Sequence, residues 1–92
     1  MNFKRITRNH KEIKNWVQDR NGIPTVIKDE EIINEEDRLS FDFLNNGRND
    51  RLEKITWTDF FRKFDSECLA LVYEDKIFKG EESHRFKFIK ID

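Results

Sequence analysis

Ninety-two residues, 36% hydrophobic and 40% charged with a net charge of −1, allow one domain whose core is drawn from few, large side chains. Nine Phe and two Trp supply that bulk. They set the chain apart from a disordered polymer, and the net charge argues against a nucleic-acid binder driven by overall charge. One cysteine excludes an intramolecular disulfide.

In chain order, Met1 to Arg8 is a basic lead in which Phe3 and Ile6 are placed to pack, as a short strand would allow. Asn9 and Glu12 form a capping-box-like pair that opens a helix from about His10 to Arg20. Ile13, Trp16 and Val17 make its narrow apolar stripe, with Ile6 available to join them. Asn21-Gly22 stops the helix with a left-handed residue, and Pro24 prevents its continuation. Thr25 to Lys28 reads as a strand. Residues 29–38 are acidic, with Ile32 and Ile33 as their apolar anchors, and read as a loop or one weak helical turn. Leu39, Phe41 and Phe43 alternate with Ser40 and Asp42, the pattern of a strand with one buried face. Asn45 to Asp50 has turn composition throughout, and Leu52 to Ile55 reads as a short edge strand.

The stretch from Ile55 to Tyr73 organises the chain. Thr56 is a helix N-cap, Asp59 stands at the capping-box position, and Ile55 and Phe60 are placed for a hydrophobic staple. Trp57, Phe60, Phe61 and Phe64 recur at helical spacing, while Arg62, Lys63 and Asp65 take the other side. Their aromatic face reads as core. Cys68 to Tyr73 is a continuous apolar run that fits a strand covered on both faces, with the Cys68 thiol as a small hydrophobe. A polar connection interrupted by Ile77-Phe78 leads to a last strand, Arg85 to Ile91, antiparallel to it. Phe86 and Phe88 share one face there and Ile89 and Ile91 the other, which a bulge or a two-sided strand accounts for. The expectation is an α+β fold in a single domain over residues 1–92: a small, mainly antiparallel sheet of three to five strands with two short helices packed on it.

No constellation for catalysis stands out. His10 and His84 lack metal-ligand spacing, and the acidic stretch lacks the alternation and glycine of a calcium loop. Phosphate-cradling glycine motifs and a G-x-S-x-G elbow are missing. The expectation is therefore a non-enzyme without cofactor or metal. The basic lead has no apolar signal-peptide core and no run reaches membrane-span length, so the expected location is cytoplasmic, without a membrane partner.

Charge is unevenly spread. Residues 1–20 hold six basic against two acidic residues, a net of +4, and residues 28–38 hold two against six, a net of −4. The plain reading is two solvated surfaces, with Ile32 and Ile33 tucked into the core; the functional reading is an interaction module that docks another protein through Ile32, Ile33, Glu35 and Glu36. The alternative is nucleic-acid binding along Lys4, Arg5, Arg8, Lys11, Lys14 and Arg20, with Trp16 stacking on a base if exposed, although Ile13 and Val17 place it in the core. A small enzyme or small-ligand binder is a further alternative. Monomer and homodimer both stand open.

Several of these pieces in order resemble a family of small, uncharacterised bacterial proteins of about this length. They are Glu12 to Pro24, Leu39 to Phe43, Ile55 to Asp65, Leu69 to Tyr73, and the closing Glu82-Ser83 with Arg85 to Phe88. The resemblance implies no established activity. A glucan-branching label carried by some relatives would demand a complete barrel domain, far larger than this chain. The basic lead, the longer acidic stretch and Ile77-Phe78 depart from the family pattern.

Overall fold

A computed structural model describes residues 4–29, 31–32, 38–43, 50–74, 77–78, 81–82 and 85–91. Along it run β1 (Lys4–Thr7), α1 (His10–Asp19), β2 (Gly22–Ile27), β3 (Leu39–Phe43), β4 (Leu52–Lys54), α2 (Trp57–Ser66), β5 (Leu69–Glu74), β6 (Ile77–Phe78), β7 (Glu81–Glu82) and β8 (Phe86–Lys90).

Both helices begin where a side-chain oxygen satisfies an otherwise orphan N–H. Asn9 Oδ1 accepts from the Glu12 amide at 2.9 Å, and Thr56 Oγ1 from the Asp59 amide at 3.0 Å. Each buries one stripe: Ile13, Trp16 and Val17 on α1, Phe60 and Phe64 on α2. α1 ends where Asn21 turns left-handed at φ 58°. Gly22 follows because the backbone there passes too close for a side chain. A Cβ would lie 2.7 Å from Val17 Cγ1 and 2.9 Å from the Phe43 ring. After α2 and its cap Glu67, Cys68 is also left-handed at φ 54°, and β5 begins only at Leu69. The cysteine expected inside the buried run is therefore exposed, because the left-handed turn that redirects the chain falls on it.

The α+β expectation holds, with one refinement: the strands divide into two three-stranded sheets, ordered β1-β5-β8 and β3-β2-β4, and a β6-β7 ribbon, all antiparallel. β5 lies at the centre of the first sheet and is buried along its whole length. Leu69, Leu71 and Tyr73 share the core face with Phe88 and Phe86, which pair across the ladder with Leu71 and Tyr73. That register runs unbroken from Phe86 to Lys90, so β8 is a two-sided strand without a bulge. Ile6 pairs with Val72 and so faces away from the core, 64% exposed, instead of joining the α1 stripe. In the second sheet, β2 starts at Gly22 and runs through Pro24. Pro24 directs its carbonyl to the Ile55 amide at 3.1 Å. A residue's N and C=O point to the same side of a strand, so its missing N–H falls just past the β4 ladder and costs no bond to β3.

Phe41 joins the layers. It is 3% exposed, and its ring lies 4.9 to 6.4 Å from those of Trp16, Phe43, Trp57, Phe60, Phe86 and Phe88. Both helices and both three-stranded sheets thus meet at one aromatic centre. Glu12 adds a polar tie, accepting from the Tyr73 hydroxyl on Oε2 and from Thr7 Oγ1 on Oε1 at 3.0 Å. No helix among the described residues is long and apolar enough to cross a membrane.

Candidate functional site

A groove of about 600 Å³ runs between the first turns of α1 and the outer side of α2. The aromatic face of α2 reaches from the core to the surface. Phe60 and Phe64 fill the interior, while Trp57 and Phe61, four residues apart on the edge of that face, stay half-buried. The two rings stack with centroids 5.4 Å apart and planes at 22°. His10, the first residue of α1, lies flat on Phe61 at 4.0 Å and 10°, and its Nε2 meets Asp65 Oδ1 at 3.0 Å. His10, Phe61 and Trp57 thus form one continuous run of rings spanning the two helices.

Charge lines both walls. Lys11 and Lys14 stand exposed on α1, and Arg62 is exposed on α2. Asp65 is engaged by His10, and Asp59 lies 3.4 Å from Arg62 in a surface pair that weakly holds it. The groove therefore offers ring surface between ammonium and guanidinium groups, which is recognition chemistry. The imidazole makes no hydrogen bond to a hydroxyl or thiol among the described residues, as activation of a nucleophile would need. Also among those residues, no group of three His, Cys, Asp or Glu is arranged to hold a metal ion.

Of the six basic residues expected to line a nucleic-acid strip, Lys4, Arg5, Arg8, Lys11 and Lys14 are exposed and Arg20 is buried. Lys4 pairs across the ladder with Glu74 and Arg5 with Tyr73, at the end of β5 remote from Leu69. Arg8 donates from Nε to the Leu69 carbonyl at 3.1 Å. Arg20 is 7% exposed, lies 4.5 Å over the Trp16 ring and donates to the Trp16 carbonyl at 3.1 Å. Trp16 is itself 4% exposed, with its indole N–H on the Glu74 carbonyl at 2.9 Å, so it offers no face to a base. Only Lys11 and Lys14 of the six reach the groove.

Of the other predicted contact, Ile32 is half-buried and accepts from Arg38 at 2.5 Å through its carbonyl. Ile33, Glu35 and Glu36 lie outside the described residues, as do Phe3 and His84. Sequence reading missed His10, Trp57, Phe61 and Arg62 as site residues. The available signal was density: four aromatics on a ten-residue helix, of which two are fully buried and two half-buried against the core.

The chain matches no protein-family model, and no curated protein or solved structure is significantly similar to it.

Proposed function

We propose that the protein is a non-catalytic cytoplasmic interaction module that binds an acidic segment of a partner protein in the groove between α1 and α2. The observation that carries this reading is the His10–Phe61–Trp57 ring run flanked by Lys11, Lys14 and Arg62. Rings take up an apolar anchor, and the flanking cations meet carboxylates on either side of it. An exposed free thiol at Cys68 fits a reducing compartment.

A second reading, single-stranded nucleic acid, draws on the same rings and cations. It is weaker because Arg8 and Arg20 are engaged by the protein's own carbonyls and do not extend a backbone-tracking line.

The test is fluorescence anisotropy with labelled acidic peptides carrying a central apolar pair, beside a thymidine oligonucleotide, on wild type and K11E/K14E. Saturable peptide binding that the variant loses supports the reading. Tighter oligonucleotide binding lost in the variant would replace it with the second. No binding of either probe, or binding untouched by the variant, would remove the groove as the site.

A further inference from the structure

One ionisable ring joins the two helices at the groove. His10 opens α1, and its imidazole lies flat on Phe61 of α2 at 4.0 Å while Nε2 meets Asp65 Oδ1 at 3.0 Å. An ionised carboxylate only accepts hydrogen bonds, so in the neutral ring the proton sits on Nε2 and Nδ1 is an acceptor. The ring lines the groove and is half exposed, and Nδ1 makes no hydrogen bond among the described residues. The neutral imidazole therefore has no donor left for a carboxylate that enters the groove.

A second proton on the ring reverses this. It turns Nδ1 into a donor, and the charge it brings strengthens both contacts already present, with the Asp65 carboxylate and with the Phe61 face. The charged groups around the ring are few. On α1 they are Lys11 and Lys14, and on α2 Arg62 and Asp65, with Asp59 held 3.4 Å from Arg62. Of the side-chain types lining the groove, imidazole is the one whose charge changes between about pH 5 and 8. The cationic character of the groove therefore rises at this ring as the solution is acidified.

We infer that His10 is a proton-gated contact of the groove, donating to a carboxylate of the bound acidic segment only when its ring is charged. This rests on the groove reading above and adds its regulation. Binding tightens as pH falls and loosens as pH rises, because the added donor and charge belong to the protonated ring alone. The coupling is reciprocal: an acidic ligand that prefers the charged ring also makes the ring hold its proton to higher pH. Asp65 is the positioning residue, since it fixes which nitrogen is left for the ligand.

Fluorescence anisotropy on the full chain tests it, with a labelled peptide carrying an Ile-Ile pair between aspartates, at about pH 7.5 and about pH 5.5 and fixed ionic strength. The peptide's carboxyls are ionised at both. The wild-type Kd is expected to fall about three- to tenfold on acidification. His10→Phe keeps a ring against Phe61 without a titrating proton and should lose that response, whereas His84→Gln, at the chain's other histidine, should keep it. A wild-type Kd equal at the two pH values, or the same response in H10F, overturns the inference. The groove reading then still stands if K11E/K14E abolishes binding. A proton NMR titration of the wild type needs no variant: the midpoint of the His10 Cε1–H shift should rise when the peptide is saturating, and an unmoved midpoint overturns the inference. Peptide binding at neither pH removes the groove reading, and this inference with it.

Discussion

The His10 imidazole lies flat on the Phe61 ring, with centroids 4.0 Å apart and planes within 10°, and the same imidazole reaches Asp65 at 3.0 Å. Residues 51 and 55 positions apart in sequence meet here, and the contact holds the start of α1 against α2. The groove has its shape because of it. His10→Ala is expected to cost about 1 kcal/mol, since a stacked aromatic pair contributes about 0.5–1.5 kcal/mol beyond burial. Asp65→Asn should cost less, because the contact is about half exposed on both sides, at 46% and 52%. Urea denaturation of the two variants should rank them in that order.

Phe41 is where the layers share contacts. Phe41→Ala leaves a cavity bounded by Trp16, Phe60, Phe86 and Phe88 and is expected to cost about 3–5 kcal/mol. That is a large part of the stability of so small a domain. Near-ultraviolet circular dichroism should lose its aromatic signal at a markedly lower temperature than wild type.

Thr25 is 1% exposed, and its hydroxyl has no hydrogen-bond partner among the described residues. Thr25→Val keeps the shape and the β-branch while removing the unsatisfied group, so it should stabilise by about 1 kcal/mol. For a domain of this size that raises the Tm by about 4–8 °C. A lowered Tm would mean that the hydroxyl is engaged.

Gly22 is needed for space. Gly22→Ala forces the new methyl against Val17 Cγ1 and the Phe43 ring and is expected to cost about 1–3 kcal/mol. Asn21→Gly, at the left-handed position beside it, should change stability little, because glycine accepts φ 58° without strain. Thermal melts of this pair separate steric crowding from backbone conformation.

Local rules explain why so much of the fold was legible. Asn9 and Thr56 announce their helices through short-range bonds, Asn21 ends α1 as its residue type allows, and the alternation of Leu39, Phe41 and Phe43 places one face inward. The misses arise from partners distant in sequence. Ile6 points outward because its ladder register with Val72 decides its face, which nothing beside it in sequence reveals. Arg20 reads as a surface cation until its stacking over Trp16 is seen. The groove was hidden for the same reason, since periodicity separates exposed from buried aromatics poorly and the meeting of His10 with Phe61 depends on how α1 and α2 dock.

The most direct test of the groove is a titration of isotope-labelled protein with an acidic peptide carrying a central Ile-Ile pair, followed by amide and indole N–H resonances. The two tryptophans serve as internal reporters. The Trp57 indole and the amides of His10 to Lys14 and Trp57 to Asp65 should shift together and saturate, because they border the groove. The Trp16 indole, buried and bonded to the Glu74 carbonyl, should stay in place. Saturating shifts confined to other surfaces, with the Trp57 indole unmoved, would contradict the assignment of the groove.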